Sequence, residues 1–390
     1  MTKRKFNFIN TILFYLFIFF IFSYQEEKMF FYDQEIVLHY FNYIFAPILL
    51  CVIGLAYTII YRRNYSLIPV SSSIKSFIIV ITIMSFIYSL FHPMRTNVTY
   101  IYILILYLVY NYSTIFPHLI SSKTYSIGVI ILFASLVYVY ISGYSLQIAN
   151  QINNQTNASY TILYILPLLL CIKNKAINII SLIVTLFVVF TSLKRGGIIA
   201  FAFGLISYLY TKYISLSKSY SKNKLINIII FLLALGMMFI LIKYINNYTD
   251  GVMLERFNSI SDDEGSGRID IWKRVITLIS QSSFIGLLLG HGWDAVYSNM
   301  GISSHNDFLE ILYDFGLFGI MLYMHMIYKI AKYLKYLIRT KSEYAPILAC
   351  SLSIFIINSM VSHIVIYPHY FILFLICWGY IFSCKSLNYQ

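Results

Sequence analysis

Apolar stretches of near-spanning length, repeated along the chain and parted by short basic turns, constrain this sequence more than any other feature. Crossing about 30 Å of hydrocarbon takes roughly 20 helical residues. Stretches at 6–24, 40–60, 76–92, 99–116, 125–142, 160–172, 176–192, 197–214, 225–245, 308–328, 346–362 and 367–382 meet or approach that need, the sixth being short and carrying Pro167. The bilayer core holds no water, so every backbone N–H and C=O must be satisfied within the protein, which favours helices. The expected fold is all-α: a polytopic transmembrane helical bundle of about 12 spans with one large outer loop. Composition agrees, because 59% of the 390 residues are hydrophobic and only 11% charged, where soluble domains run nearer a quarter charged.

The charges that remain are distributed unevenly. With a cytoplasmic N-terminus, 19 of the 28 Lys and Arg residues fall in inside segments, while 14 of the 15 acidic residues fall outside, Glu343 being the exception. Lys and Arg in short loops set orientation, so both termini are expected in the cytoplasm. The formal charge of +13 reads as this topology signal and not as a nucleic-acid surface. Lys3-Arg4-Lys5 and the apolar run to Phe22 have the look of a signal peptide, but no A-x-A-like site follows. The run is read as an uncleaved first helix. None of the five cysteines (Cys51, Cys171, Cys350, Cys377 and Cys384) makes a CxxC pair, which argues against a zinc site or a disulfide framework.

Three regions follow: spans one to nine over 1–245, a polar loop over 246–307, and the remaining spans over 308–390. The loop is the only polar stretch large enough to build a site. It contains an acidic, glycine-rich run, Ser261-Asp262-Asp263-Glu264-Gly265-Ser266-Gly267. Beyond it Ile269, Trp272, Ile276 and Ile279 recur at helical spacing among Asp270, Lys273, Arg274 and Thr277. That pattern predicts an amphipathic helix lying on the outer membrane surface or over the bundle.

Several side chains stand out as carriers of chemistry. Lys194 and Arg195 occupy a very short outside turn, against the charge rule, and two glycines follow them. An anionic ligand would explain such a pair, since the planar guanidinium suits phosphate oxygens; snorkelling to lipid headgroups is the plainer reading. Arg268 opens the amphipathic helix, where its charge opposes the macrodipole. It is either half of a diphosphate clamp or an ordinary solvated arginine. His305 stands where the loop enters the next span, and histidine's unperturbed pKa suits proton transfer near neutrality. Asp307, Glu310 and Asp314 follow on one helix face. Acids at that depth are usually functional, although the dipole alone would favour the first two. His291 belongs to a loop turn expected to cover the site, His363 and His369 flank Pro368 in the last outside turn and are expected to line the same cavity, and His39, His92, His118 and His325 read as structural or interfacial. No DxD pair, Walker loop or metal-ligand cluster appears, so metal-independent chemistry and no cofactor are expected.

The order of these motifs resembles a known family. A Lys-Arg-Gly turn is followed by Gly267-Arg268-x-x-x-Trp272, then Gly290-x-Gly292, then His305-Asn306-x-x-Leu309-x₆-Gly316-x-x-Gly319 entering a helix. This resembles the O-antigen ligase/polymerase superfamily, which holds Wzy-type polymerases and O-antigen ligases. The likeness covers roughly 185–330 by motif. It implies a membrane C-type glycosyltransferase of the bacterial inner membrane, whose large loop is periplasmic. Undecaprenyl-diphosphate-linked oligosaccharide would be both donor and acceptor, with membrane lipids and a chain-length regulator protein as further partners. Carried over residue by residue, Arg195, Arg268 and Lys194 would bind the diphosphate and His305 would be the general base. Trp272, Asn306, Asp307, Glu310, Asp314 and Gly316 would support them. Members often have a serine two positions before the turn arginine, where this chain has Leu193.

The leading expectation is a polymerase that joins repeat units of O-antigen or a related surface polysaccharide. An O-antigen ligase acting on lipid A-core would use the same residues. A protein O-oligosaccharyltransferase fits less well, since such proteins carry an additional periplasmic domain. A polysaccharide flippase is the reading from another class, but transporters show repeats and mid-membrane charges where this chain gathers its polar groups in one loop.

Overall fold

A computed structural model describes residues 3–29, 45–61, 69–91, 99–150, 156–192, 194–216 and 267–386, with the isolated positions 243 and 247. Among these residues the regular structure is entirely helical. In chain order the helices are α1 (Lys3–Met29), α2 (Ala46–Tyr61), α3 (Pro69–Phe91), α4 (Thr99–Ile115), α5 (Ser122–Asn150), α6 (Thr156–Leu170), α7 (Lys175–Thr191) and α8 (Arg195–Leu216). After the undescribed stretch come α9 (Arg268–Ser280), α10 (Phe284–Leu289), α11 (Ala295–Met300), α12 (Asp307–Arg339), α13 (Ala345–Val361) and α14 (Pro368–Ser386). Eleven of the expected spans fall on these helices; the ninth, 225–245, lies outside the described residues apart from position 243.

Five helices hold windows long and apolar enough to cross a membrane: Phe8–Gln25, Val70–Leu90, Ser122–Ser142, Arg195–Ile214 and Asp307–Arg339. Ala46–Ile60, Ala158–Leu170, Lys175–Thr191, Ala345–Val361 and Pro368–Cys384 are apolar but shorter. The chain is thus a multi-pass helical membrane protein, with five full-length candidates among the described residues where twelve spans were expected.

Burial explains the layout. Helix α14 is enclosed on every side, with Phe371, Phe374 and Trp378 all fully buried, as expected of a helix apolar all round. Its neighbours approach closely: a Cβ on Gly379 would sit 2.6 Å from Ser113 Cβ on α4, and the Trp378 indole donates to Ser351 Oγ on α13 at 3.0 Å. Helix α7 lies at the periphery and turns Ile179, Ile183 and Phe187 outward, a one-sided apolar stripe that suits hydrocarbon. Helix α8 packs along α13, where a Cβ on Gly204 would meet Ile354 at 2.7 Å and Ser353 Oγ donates to Ser207 Oγ at 2.7 Å. That packing brings the start of α8 beside the turn between α13 and α14.

Segments expected to share a side do meet. Lys173 and Glu343, both assigned to the inside by charge counting, pair at 2.8 Å. Both are well exposed, so the pair is a marker of proximity more than a source of stability. At the opposite end the start of α12, the turn after α13 and the N-terminus of α9 come together.

The amphipathic helix is present, and the four apolar residues that mark it divide: Trp272 and Ile279 face the protein, while Ile269 and Ile276 do not. Val275 is fully buried against Ala295, Val296 and Tyr313, with Ile271, Leu278 and Ile279 packed around it. Ile269 and Ile276 point outward at 44% and 54% exposure. Two apolar stripes share this helix, and packing selects the one centred on Val275. Helix α10 also turns Phe284 and Ile285 outward, at 75% and 70% exposure, so this part of the loop is not a polar surface. It is locked to α12 by glycine. Gly316 interrupts α12 at φ 66°, and a Cβ there would lie 2.4 Å from Leu288 O. Only glycine combines that backbone with that approach.

Candidate active site

The site is assembled around the three residues before α12. Asn306 caps the helix, its Oδ1 accepting the Phe308 and Leu309 amides at 2.9 and 3.2 Å, the usual role of an asparagine at this position. Ser304 is held from two directions: its amide donates to Glu310 Oε2 at 2.7 Å, and its carbonyl accepts the Trp272 indole N–H at 2.9 Å. Between them His305 adopts φ 53°, a left-handed conformation that costs a non-glycine residue about 1–3 kcal/mol and persists only where the surroundings enforce it. One enforcing contact comes from the far end of the chain, where His363 Nε2 accepts the His305 amide at 3.0 Å. The two imidazole centroids are 4.9 Å apart.

The three carboxylates share one face of α12, and all are fully buried. Each is engaged by backbone. Asp307 Oδ2 accepts the Ile364 and Val365 amides at 2.9 and 3.1 Å. Glu310 holds Ser304, as above. Asp314 accepts the Asp294 amide at 2.8 Å and the Val296 amide at 3.2 Å, which fixes the start of α11. Buried acids are tolerable when hydrogen-bonded, and these three fold the loop and the last turn around the mouth of α12.

The cations converge on the same place. Arg268, preceded by Gly267 at φ 73°, lies beside the buried Tyr160 hydroxyl and beside both histidines. The Lys194 charge is near enough to act on His305 as well. Arg195 begins α8 next to Gly196, where a Cβ would lie 2.9 Å from the Tyr160 hydroxyl and 3.1 Å from Val361. Lys194, Arg268, His305, Asn306, Asp307, Glu310 and Trp272 therefore lie around one place, with Arg195 at the helix start beside it, while Asp314 and Gly316 lie a turn or two deeper and shape the loop.

Electrostatics alter the expectation for His305. Burial, then the Arg268 and Lys194 charges, push its pKa down to about 4. Burial, then His305 and Arg268, push His363 to about 3. Both rings are neutral at pH 7, so each has a lone pair to offer. The lone pair on His363 Nε2 is already used by the His305 amide; among the described residues none donates to the His305 ring.

The other histidines have partners of their own. His291 hydrogen-bonds Ser282 Oγ at 2.8 Å and stacks on Tyr313 at 4.5 Å, which secures the loop. His369 belongs to an aromatic cluster with Tyr24, Tyr367 and Tyr370. His118 ends a short 3-10 turn, Phe116–His118, His325 lies on an exposed face of α12, and His39 and His92 lie outside the described residues. Tyr160 and Ser304 were missed, for no local pattern marks either.

Fold and site together define a multi-pass membrane protein with a cationic, histidine-bearing site at one end of its helical bundle. Residues 180–324 match the family model described as O-antigen ligase, which supports membership of the O-antigen ligase/polymerase superfamily and implies a glycosyltransferase-like activity in surface-polysaccharide synthesis. The matched stretch contains Lys194, Arg195, Arg268 and His305. No curated protein matches the chain.

Proposed function

We propose that the chain is a polymerase that joins undecaprenyl-diphosphate-linked oligosaccharide repeat units into O-antigen or a related surface polysaccharide at the periplasmic face of the bacterial inner membrane. The observation that carries this reading is the convergence of Arg268 and Lys194 on the neutral His305. An acceptor sugar hydroxyl attacks the anomeric carbon of the donor, the bond from that carbon to the diphosphate oxygen breaks, and His305 takes the hydroxyl proton. Undecaprenyl diphosphate departs with negative charge, which Arg195, Arg268 and Lys194 stabilise as it develops. Burial does most to hold His305 low, and the cations that add to it, Arg268 and Lys194, are among those assigned to the diphosphate. Donor binding therefore offsets their charge and makes His305 a stronger base once the substrate is in place. No cofactor or metal enters this scheme, and a chain-length regulator is a fitting protein partner.

The second reading is the ligase that moves the finished glycan to lipid A-core. It is favoured by the description of the matching family and uses the same donor chemistry. A His305→Ala variant distinguishes these from a flippase. With lipid-linked repeat units alone, purified wild-type polymerase lengthens the glycan and the variant does not. In cells a disabled polymerase leaves lipid A-core capped with one unit, whereas a disabled ligase leaves bare core and polymer on its carrier. Normal elongation by the His305→Ala variant would remove the base from the mechanism.

A further inference from the structure

We infer that His363 and Asp307 form a positioning pair that holds the His305 backbone in its left-handed conformation, so that the imidazole of the base faces the acceptor. The inference rests on the functional reading above and assigns no new chemistry to either residue.

Two histidines lie within ring-contact distance at this site, and geometry separates their roles. His363 is 1% exposed, and its Nε2 accepts the His305 amide at 3.0 Å. A nitrogen that accepts a hydrogen bond cannot carry the proton in a neutral ring, so the proton sits on Nδ1. That nitrogen faces Asp307 Oδ1 at 3.9 Å, an electrostatic approach longer than a hydrogen bond, and among the described residues neither atom has a hydrogen-bond partner. The second oxygen of Asp307 accepts the Ile364 and Val365 amides, which fixes the turn carrying His363. The chain of contacts therefore runs from the helix start through the carboxylate and its turn, across the ring, and back to the amide of the base. His363 has no lone pair left for a substrate. Its effect reaches the reaction only through the placement of His305.

The pair is sensitive to tautomer, and that supplies a specific test. In Asp307→Asn the side-chain NH₂ cannot face two amide N–H groups, so it turns toward His363 Nδ1. The ring must then accept there and carry its proton on Nε2, where it opposes the His305 amide. His363→Gln keeps an acceptor at about the reach of Nε2, whereas His363→Asn is too short and His363→Leu has none.

The experiment uses the full-length protein in detergent or nanodiscs, with lipid-linked oligosaccharide extracted from host membranes as substrate and undecaprenyl diphosphate as the binding probe. His363→Leu and Asp307→Asn should lower kcat by about 10–100-fold, the scale on which small misplacements act. KM for the donor and the affinity for undecaprenyl diphosphate should stay within about two-fold, because the cations that hold the diphosphate are untouched. His363→Gln should recover most of the lost rate. Where the leucine variant does not accumulate, the glutamine and asparagine variants carry the comparison. Wild-type kcat in His363→Leu, or a glutamine variant no better than asparagine, would overturn the inference. His305→Ala, run alongside, keeps the two ideas apart. Activity in that variant defeats the proposed base, whereas its inactivity beside a fully active His363→Leu defeats only the positioning pair.

Discussion

Trp272 donates its indole N–H to the carbonyl of Ser304 at 2.9 Å, so the amphipathic helix is tied by one directed bond to the residue preceding His305. Trp272→Phe keeps an aromatic ring there and removes the donor. The expected loss is about 0.5–1.5 kcal/mol of stability, seen as a small fall in Tm, with a several-fold loss of glycan elongation. A variant with lowered Tm and unchanged elongation would show that the bond stabilises the loop without serving the site.

Arginine's two-pronged geometry is the property the diphosphate assignment needs. Arg195→Lys and Arg268→Lys retain the charge and lose the bidentate fork. Each should reduce elongation by about 10²–10³-fold, the usual cost of losing one preorganised donor to a developing charge, at normal protein levels in the membrane. Wild-type polymer from both variants would leave the diphosphate without its proposed clamp.

The pH dependence follows from the direction of the His305 shift. Its folded pKa, about 4, lies below the ordinary 6.5, so the base-competent neutral ring persists until pH falls through the lower value. Between the two values the unfolded chain binds more proton than the folded one, so any stability linked to this ring is lost as pH falls and not as it rises. The acidic limb of kcat/KM, which reports the free enzyme, should therefore lie well below 6.5. Arg268→Gln should move it upward, because one cause of the depression is gone. An acidic limb near 6.5 in the unmodified protein, or one unmoved by Arg268→Gln, would contradict the assignment.

Orientation is open to a direct check. The charge asymmetry places Asn247 and Ser303 outside and Ser217 and Thr340 inside. A reporter active only outside the cytoplasm should work when fused after the first two and stay silent after the others. Activity at Ser217 would invert the bundle and move the site to the wrong face for a periplasmic donor.

What could be read from the residues and what could not divide along physical lines. Helices such as α7 and α13 announce themselves because an unbroken apolar run of that length has few other fates. The start of α9 at Arg268 was equally local. The inward face of α9 is not legible in the sequence because Ile269 and Ile276 lie at helical spacing just as Ile271, Val275 and Leu278 do. Periodicity reports that a stripe exists and is silent when there are two, and only packing against Tyr313 and Val296 decides. The interruption at Gly316 was invisible for a related reason, since a glycine inside an apolar run carries no sign of the backbone that will press on it. His363 could be assigned to the cavity by its place in the last outside turn, but its bond to the His305 amide, 58 residues away, exists only once the turn after α13 folds back onto the start of α12.

The enclosure of α14 bears on how the protein is made. The helix that fills the centre follows every other described helix in the chain, so during synthesis its neighbours enter the bilayer around a place still empty. Ser113, Ser351 and the aromatic faces later covered by Phe371, Phe374 and Trp378 must wait in contact with lipid or with one another. Assembly is then a late capture event: the bundle closes when its axis arrives, and the His363 turn, which leads directly into that axis, reaches His305 in the same step.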